Sequence, residues 1–463
     1  MSAEIKSEKR PNILMIMADQ FRLTTLQGMG DEIETPNMAR IMDRGVVFDQ
    51  ACCASPLCTP SRASLATGKM PHRCGVMVHD TVLPADVPTY YQALRKAGYR
   101  VGVVGKTDLH KEDRYCGESG NMPSMYHYGF TDPYETEGKM NCAWIVRNDK
   151  GEKRLQGPYQ KYLDEKGLLE SLNRDYLSRL KELPKYYAEP SVLPSEEDFQ
   201  DAFIGRKAVQ WLENVSDDVP WHYFVSFAGP HNPWDPPAEE LNRVGEQIFP
   251  PAITDGLENK PEWVKKRAKI QTGGMSEQDL QKLKRSYAAS VAVIDTWIGN
   301  ILDTLEQRGL DDNTVIIFCA DHGELLADHG LLEKKSMYEA SVRIPLVIRA
   351  PWMMKRRDSG ALAQLMDLAP TCMELAGLSY DMDDMDARSL LPILKGGDIE
   401  LRSAQISELI NCQMVYDGRY KWIRNWNDID ELYDLKEDPK ELYNLIEQKP
   451  EIQKRLLKET FWQ

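Results

Sequence analysis

Long apolar runs and an excess of basic residues are both missing from this sequence of 463 residues. No apolar segment approaches the ~20 residues that a membrane-spanning helix needs, so the sequence predicts no membrane span. Lysine and arginine number 57 against 72 aspartates and glutamates, which gives a formal net charge of -15 at pH 7. Such a charge argues against binding to nucleic acids or to anionic membranes. An anionic small molecule would therefore have to be attracted by a local basic pocket.

A secretory leader and a disulfide framework are also missing. The first apolar run, residues 13–18, is too short for the apolar core of a signal peptide, and no cleavage site follows it. The nine cysteines are an odd number and have no framework spacing. We therefore expect reduced thiols and a cytoplasmic protein, or a periplasmic one if a leader has been trimmed.

The sequence does contain an alternation of short apolar runs with amphipathic stretches. The mostly apolar runs at residues 13–18, 100–105, 221–228 and 314–320 are typical of central strands that are buried on both faces. Helix-like segments lie between them, which predicts an α/β fold with a large, mainly parallel sheet flanked by helices. Residues 111–200 have poor periodicity, and we expect them to be insertions that shape a substrate pocket.

The pattern changes after residue 378. Short strand-like segments with an Asp417-Gly418 turn predict a small C-terminal antiparallel sheet, followed by a helix near residues 451–462. The length allows two or three domains, or one large domain with an appendage. We therefore expect a large α/β domain over residues 1–378 and a small α+β subdomain over residues 379–463.

Polar residues follow four of the predicted strands. They are Asp19 and Gln20, the segment from Lys106 to His110, His231, and the pair Asp321-His322. Open α/β sheets place their functional sites at the carboxyl ends of the strands. The sequence therefore predicts that these four groups lie together at one edge of the sheet.

Cys58 precedes an Ala/Ser/Leu run that can start a helix, and Pro60 suits the first helical turn. Backbone N–H groups and the helix dipole favour an anion at such a position. Arg62 adds a permanently charged, planar fork that matches a tetrahedral oxyanion. The stretch is thus either a site where a sulfate or phosphate group binds beside Cys58, or a loop-to-helix junction with a buried cysteine.

The strand-end residues include metal ligands. Carboxylate, amide and imidazole groups come from Asp19, Gln20, Asp321 and His322. Hard oxygen donors suit Ca²⁺ or Mg²⁺, and the imidazole and amide shift the preference towards Mn²⁺ or similar ions. Such a metal would hold one oxygen of a tetrahedral anion and polarise its central atom. Three basic residues would neutralise the other oxygens: Arg62, Lys106 and Lys334. His231 could protonate a leaving group.

Several short motifs form an ordered set along the chain. They are Cys58-Thr59-Pro60-Ser61-Arg62, Leu65-Ala66-Thr67-Gly68-Lys69, Gly105-Lys106, Gly229-Pro230-His231, Asp321-His322-Gly323 and Lys334. Together they resemble the motifs of the type I sulfatases of the alkaline-phosphatase superfamily, in which the first stretch is a modification signature. The resemblance extends from about residue 11 to residue 445, and it implies an alkaline-phosphatase-like fold.

The resemblance implies a sulfuric ester hydrolase that cleaves sulfate monoesters, with a sulfated carbohydrate or an aryl sulfate as substrate. It implies that a formylglycine-generating or radical maturation enzyme oxidises Cys58 to formylglycine, whose hydrated aldehyde attacks sulfur. It also implies a divalent metal, with Ca²⁺ as the first choice and Mn²⁺ as the alternative. The implied metal ligands are Asp19, Gln20, Cys58, Asp321 and His322. The implied catalytic residues are Cys58, Arg62, Lys106, His110, His231 and Lys334, with His79 and Asp108 in contact with substrate.

The sequence departs from the family pattern at three positions. Many relatives carry a second acid where this chain has Gln20, and Asn where it has His322. Many also carry His where this chain has Asp108, and His110 follows two residues later, so either Asp108 or His110 is the base. His79 lies where relatives often place a substrate-contacting residue, and it is equally compatible with a loop histidine.

The ligand pairs Asp19-Gln20 and Asp321-His322 also resemble the phosphonate monoester hydrolases, which use the same modified cysteine. A phosphonate monoester or phosphodiester hydrolase at the same site is therefore the alternative activity. A third hypothesis is a binding protein that retained the fold and lost activity, and the intact Cys58, Arg62 and Lys334 argue against it. Four aromatic residues could stack on sugar or aryl rings: Tyr126, Tyr128, Tyr134 and Trp234. Neither nucleic acid nor a membrane is expected as a partner, and a homo-oligomer remains open.

Overall fold

The computed structural model describes residues 10–110, 115–180 and 188–459. The strands of these residues are β1 (Asn12–Ala18), β2 (Val46–Phe48), β3 (Arg100–Gly105), β4 (Asp132–Glu135), β5 (Val146–Arg147), β6 (Lys153–Arg154), β7 (Trp221–Phe227), β8 (Thr314–Ala320), β9 (Leu346–Arg349), β10 (Arg357–Ser359), β11 (Gln405–Leu409), β12 (Cys412–Tyr416), β13 (Tyr420–Asn425) and β14 (Glu431–Asp434).

The larger of the sheets has eight strands in the order β10-β2-β9-β8-β1-β7-β3-β4. Strands β8, β1, β7, β3 and β4 pair in parallel, β9 is antiparallel to β8 and β2, and β10 is parallel to β2. Ala18 at the end of β1 pairs with Phe227 of β7 and with Ala320 of β8. The prediction of a large, mainly parallel sheet is confirmed, and the carboxyl ends of its central strands are level.

Helices flank this sheet. The helices of the described residues are α1 (Pro36–Met42), α2 (Cys58–Thr67), α3 (Pro71–Cys74), α4 (Tyr90–Lys96), α5 (Pro123–Tyr128), α6 (Pro158–Glu165), α7 (Leu169–Arg179), α8 (Gln200–Asn214), α9 (Ala238–Val244), α10 (Glu262–Gln271), α11 (Glu277–Gln307), α12 (Glu339–Val342), α13 (Leu368–Leu375), α14 (Leu391–Leu394) and α15 (Pro450–Leu456). All residues of β1, β7 and β8 are buried, because both faces of a central parallel strand are covered. None of the described helices combines the length and the apolar character that crossing a membrane requires.

The smaller C-terminal sheet is an antiparallel meander of β11, β12, β13 and β14. This confirms the predicted second sheet, whereas the division at residue 378 stays a prediction. The sheet is tied to the larger part of the chain by polar contacts. Tyr338 Oη donates to Glu431 Oε2 at 2.7 Å, and Lys421 Nζ donates to Glu339 Oε1 at 2.9 Å. The predicted final helix ends at Leu456, and residues 460–463 lie outside the described residues.

Residues 111–200 contain more regular structure than their poor periodicity indicated. Strand β4 joins the large sheet, and α5, α6 and α7 are helices. Helices α6 and α7 bury a small apolar cluster of their own, which includes Tyr159, Leu163 and Leu172. Their apolar stripes are too short for periodicity to show, since each helix covers only two or three turns. Residues 111–114 and 181–187 of this region lie outside the described residues.

Candidate active site

The four polar groups that follow the predicted strands lie at one edge of the large sheet. Asp19 follows β1, Lys106 follows β3, His231 lies four residues beyond β7, and Asp321 follows β8. The structure confirms the reasoning from strand ends, because these strands are neighbours and all run in the same direction. Helix α2 begins at Cys58 and presents its N-terminus to the same edge, as the following contacts show.

Cys58 is fully buried among the strand-end residues. Its Sγ lies 3.1 Å from His322 Nε2 and 3.7 Å from Asp19 Oδ1. Burial and the Asp19 carboxylate raise the pKa of the thiol, but Lys106, Lys334 and His322 outweigh them and hold it well below its usual range. Cys58 therefore lies in a pocket whose positive charge favours an anionic group at this position.

The side chains of Asp19, Cys58, Asp321 and His322 converge closely enough to hold a metal ion. They are fully buried, and each offers one ligand atom within 4.8 Å of those of the others. His322 Nδ1 donates to the carbonyl of Gly323 at 3.0 Å, which directs Nε2 at the cluster. Two carboxylates and an oriented imidazole are donors that a divalent cation accepts, so the residues present fit the metal that the sequence predicted.

Gln20 lies beside this cluster with its amide oriented by neighbours. Its Nε2 donates to Asn232 Oδ1 at 3.3 Å and to Glu324 Oε2 at 2.5 Å, and its Oε1 accepts from Lys334 Nζ. The backbone N–H of Gln20 donates to Asp321 Oδ1 at 3.0 Å. The two amide donors of Gln20 are thus directed to Asn232 and Glu324, and its oxygen, the atom that a metal would need, faces Lys334.

Arg62 directs its guanidinium to protein acceptors. Nε donates to Asp321 Oδ2 at 2.9 Å, and Nη1 donates to the Lys106 carbonyl at 2.6 Å and to Ser226 Oγ at 2.8 Å. Nη2 lies 3.4 Å from Asp19 Oδ2. One buried fork thereby ties together the ends of β1, β3, β7 and β8, which is a supporting role rather than direct contact with an anion.

Lys106 and Asp108 lie on the Cys58 side of the site. Lys106 Nζ pairs with Asp19 Oδ2, and it lies 3.1 Å from Asp108 Oδ2. Burial raises the pKa of Asp19, but Lys106, Arg62 and Lys334 hold it well below its usual range. Asp108 has a left-handed backbone with φ of 56°. A carboxylate oxygen of Asp108, Cys58 Sγ and a ring nitrogen of His79 all lie within 4.8 Å of one another.

His110 turns away from this group. Its Nε2 pairs with Glu135 Oε2 at the end of β4, and Thr107 Oγ1 donates to the other oxygen of the same carboxylate. Burial lowers the pKa of His110, but the Glu135 carboxylate outweighs burial and raises it above its ordinary value. The structure therefore brings Asp108, and not His110, to Cys58.

His231 and Lys334 form a second side of the site, next to Gln20. Lys334 Nζ lies 2.5 Å from His231 Nε2, and His231 Nδ1 donates to the Asn232 carbonyl at 2.7 Å. Burial, with the Lys334 ammonium, lowers the pKa of His231 to about 3. His231 is therefore a neutral imidazole whose Nε2 accepts a hydrogen bond from Lys334.

Glu324 and Glu135 were missed by the sequence reasoning, although both orient predicted residues. Glu324 is fully buried, holds the amide of Gln20, and has a pKa raised to about 7 by burial. The signal for Glu324 was present, because an acid two residues beyond His322 stands at the same strand end. No comparable signal marks Glu135, which reaches His110 only because β4 pairs with β3.

The aromatic residues expected to stack on a substrate ring are mostly enclosed. Trp234 is fully buried and donates from Nε1 to the Pro230 carbonyl at 2.8 Å, and Tyr128 is 3% exposed. The stacking prediction is wrong for these two residues, since neither presents a ring face to solvent. Tyr134 packs against Phe203 with ring centroids 6.3 Å apart, and Tyr126 is 43% exposed.

Comparison with known protein families identifies the family to which this chain belongs. A family model described as Sulfatase matches residues 11–378. The chain belongs to the sulfatase family. A second family model, described as N-sulphoglucosamine sulphohydrolase, C-terminal, matches residues 327–461 of this sulfatase. The family assignment identifies the protein as a sulfuric ester hydrolase, and such enzymes carry a metal and a modified cysteine.

Curated relatives and solved structures agree with this assignment. The choline-sulfatase of Rhizobium meliloti is 27% identical over 461 residues, which cover 95% of this sulfatase and 83% of the relative. The N-acetylglucosamine-6-O-sulfatase of Bacteroides thetaiotaomicron is 27% identical over 483 residues, with the same coverage of 95% and 83%. The fold is similar to the phosphonate monoester hydrolase of Agrobacterium radiobacter, with a TM-score of 0.77 at 24% identity over 96% of this chain and 94% of that one.

Proposed function

We propose that this sulfatase hydrolyses sulfate monoesters with a formylglycine made from Cys58 and one divalent metal. The observation that carries the proposal is the place of Cys58, whose Sγ lies inside the group of Asp19, Asp321 and His322 and faces two lysines. A formylglycine-generating or radical maturation enzyme is the partner that this function needs.

The metal ligands would be Asp19, Gln20, Asp321 and His322 together with residue 58. Three of the four side chains offer oxygen, which favours Ca²⁺, and the imidazole of His322 makes Mn²⁺ the alternative. Formylglycine supplies an oxygen nucleophile with a route for sulfate release, and the metal supplies positive charge beside the sulfate. Arg62 keeps both carboxylates in place through its contacts with Asp19 and Asp321.

Lys106 and Lys334 both act electrostatically on residue 58 and would bind two sulfate oxygens. Lys334 already donates to His231 Nε2, so the proton shared by this pair lies on the lysine while His231 is neutral. An arriving sulfate ester competes for the ammonium of Lys334 and leaves Nε2 facing the ester oxygen. The proton for the departing alcohol would come from the Lys334 ammonium and pass through His231 Nε2, which carries none in the neutral imidazole.

Asp108 is the carboxylate that would accept a proton from residue 58. It approaches Cys58 within the cluster that also contains His79, and its left-handed backbone turns it there. His110 is held by Glu135, which fits a role in shaping the segment between Lys106 and His110. His79 would contact the substrate from beside Asp108, because both belong to this cluster and its Nδ1 lies 3.4 Å from Thr59 Oγ1 at the start of α2.

A sulfated carbohydrate or an aryl sulfate is the proposed substrate class. The names of the relatives show that one acts on choline sulfate and another on a 6-O-sulfated N-acetylglucosamine, so the proposal extends the carbohydrate class to this chain. A phosphonate monoester or phosphodiester is the second candidate. It is favoured by Gln20 and His322 in the ligand set, which resemble those of the phosphonate monoester hydrolases.

The test uses matured protein. Conversion of Cys58 to formylglycine is checked by intact mass, which falls by about 18 Da. We expect kcat/KM for 4-nitrophenyl sulfate to exceed that for 4-nitrophenyl phenylphosphonate by about tenfold or more. A preference for the phosphonate would replace the first candidate by the second. An unmodified Cys58 from a host with a competent maturation system would contradict the formylglycine mechanism.

A further inference from the structure

The loop that carries Lys334 has a backbone conformation that its residue types disfavour. Within ten positions, five residues other than glycine have left-handed backbones. They are Leu326 with φ of 47°, Ala327 with 78°, His329 with 54°, Glu333 with 67° and Lys335 with 68°. Residues with a Cβ adopt this region only where the surrounding structure holds them there. Lys334 itself lies between two of these residues, so its direction depends on whatever holds the loop.

One holding group is Glu324, at the start of the loop. Its Oε1 accepts from the backbone N–H groups of Leu326 at 2.7 Å and of Glu333 at 2.8 Å. These bonds connect the two ends of the left-handed segment. The same carboxylate orients Gln20 through its other oxygen, so it also belongs to the metal side of the site.

The second holding group is Arg267, which lies on α10 and comes from outside the loop. Its Nη2 donates to the carbonyls of Leu332 at 2.8 Å and of Lys334 at 2.6 Å, and its Nη1 donates to the carbonyl of Lys335 at 3.3 Å. The planar guanidinium of arginine has several donors in fixed directions and can bind three carbonyls at once. The ammonium of lysine is a single point charge on a flexible side chain and cannot fix three carbonyls in the same way. Gln271, also on α10, adds a further contact with the loop, because its Oε1 accepts from the Leu332 N–H at 2.9 Å.

We propose that Arg267 is a positioning residue for sulfate binding. By fixing the carbonyls of residues 332, 334 and 335, it keeps the backbone on both sides of Lys334 in the conformation that directs the ammonium to Gln20 and His231. The inference rests on the proposed function in one respect, namely that Lys334 binds a sulfate oxygen. Arg267 acts on Lys334 from outside the loop, through hydrogen bonds of its guanidinium to the backbone carbonyls of the loop.

The test compares Arg267→Ala and Arg267→Lys with a control on the same helix, Lys266→Ala. Lys266 is the exposed neighbour, so the control removes one positive charge without touching the loop. We measure binding of inorganic sulfate by calorimetry, and kcat and KM with 4-nitrophenyl sulfate. Arg267→Ala should weaken sulfate binding and raise KM by about tenfold or more, with a smaller change in kcat. Arg267→Lys should recover part of the loss, and Lys266→Ala should match the parent.

A double variant separates positioning from a general loss of structure. If Arg267 acts through Lys334, then Arg267→Ala should cost almost nothing further in sulfate affinity once Lys334→Ala is present. The proposal would be overturned if Arg267→Ala reduced sulfate affinity equally with Lys334 present and with Lys334→Ala. It would also be overturned if both Arg267→Ala and Arg267→Lys bound sulfate as tightly as the parent. Should Arg267→Ala fail to fold, Arg267→Lys carries the same comparison.

The two readouts also keep this inference apart from the proposed function. A matured parent that binds sulfate but hydrolyses no sulfate ester would contradict the proposed function, while the sulfate titrations would still test Arg267. A parent that binds no sulfate would overturn the inference, because Lys334 would then not be placed for that anion.

Discussion

The two sides of the active site are built in different ways. On one side Asp19, Cys58 and Asp321 are carried by the ends of β1, α2 and β8, and all three are fully buried. On the other side, Gln20 and the residues flanking Lys334 have left-handed backbones. Each left-handed residue costs about 1–3 kcal/mol, so the second side exists only because other groups hold it.

The difference separates the parts of the site that secondary structure orients from those that individual side chains orient. Paired strands and one helix fix the first side, and the Arg62 fork locks its two carboxylates together. The second side depends on single groups that come from elsewhere, such as Glu324 and Arg267. Changes to the first side should therefore abolish chemistry outright, whereas changes to the second side should degrade it by degrees.

Removing the nucleophile breaks the first side and should have the largest effect. Cys58→Ala should reduce turnover of 4-nitrophenyl sulfate by about 10⁴-fold or more, because the covalent step is lost. The midpoint of thermal unfolding should change by only a few degrees, since one buried sulfur atom is deleted. Cys74→Ala is the matched control, because Cys74 is equally buried and lies in α3 outside the site. Substantial turnover by Cys58→Ala would refute the assignment of the nucleophile.

Asp108 and His110 sharpen the comparison, because they lie two residues apart and face different partners. Asp108→Asn should lower kcat by about 10²- to 10⁴-fold if this carboxylate accepts a proton at residue 58. His110→Gln should cost about tenfold or less, since its imidazole is paired with Glu135 and only shapes the segment. Steady-state kinetics of the two variants gives the comparison directly. A larger loss in His110→Gln than in Asp108→Asn would reverse the assignment.

The smallest effect that we predict is that of metal removal on thermal stability, and it should depend mainly on the ligands of the first side. Binding at 100-fold above Kd stabilises a folded protein by about 2.7 kcal/mol, so a chelator should lower the thermal unfolding midpoint of the parent by a few degrees. Asp321→Asn should lose most of this shift because it removes the negative charge of a ligand, whereas Lys334→Ala should keep it. If the chelator did not change the thermal unfolding midpoint of the parent, the result would contradict a metal held by Asp19, Asp321 and His322.

Regular structure explains why much of the fold could be predicted. Continuous apolar runs identified β1, β7 and β8, and the change of pattern after residue 378 identified the antiparallel meander. The helices of residues 111–200 were not foreseen, because α6 and α7 are short and pack mainly on each other and on nearby residues. Trp234 was misjudged for a related reason, since its sequence position beside His231 does not reveal that its ring points into the core.

The sequence by itself determined which chemical groups stand at the strand ends and where the nucleophile precedes its helix. Those features follow from local patterns, namely apolar periodicity and the rule that parallel strands end at one edge. Only the tertiary structure decided that Asp108 rather than His110 lies close to Cys58. It also decided that the Arg62 guanidinium bonds to Asp19 and Asp321, and that the Lys334 ammonium points to Gln20 and His231. These outcomes depend on contacts between residues far apart in the chain, such as Glu135 with His110 and Arg267 with the loop at 332–335. A left-handed backbone is set by what surrounds it, and no local pattern of residues encodes those surroundings.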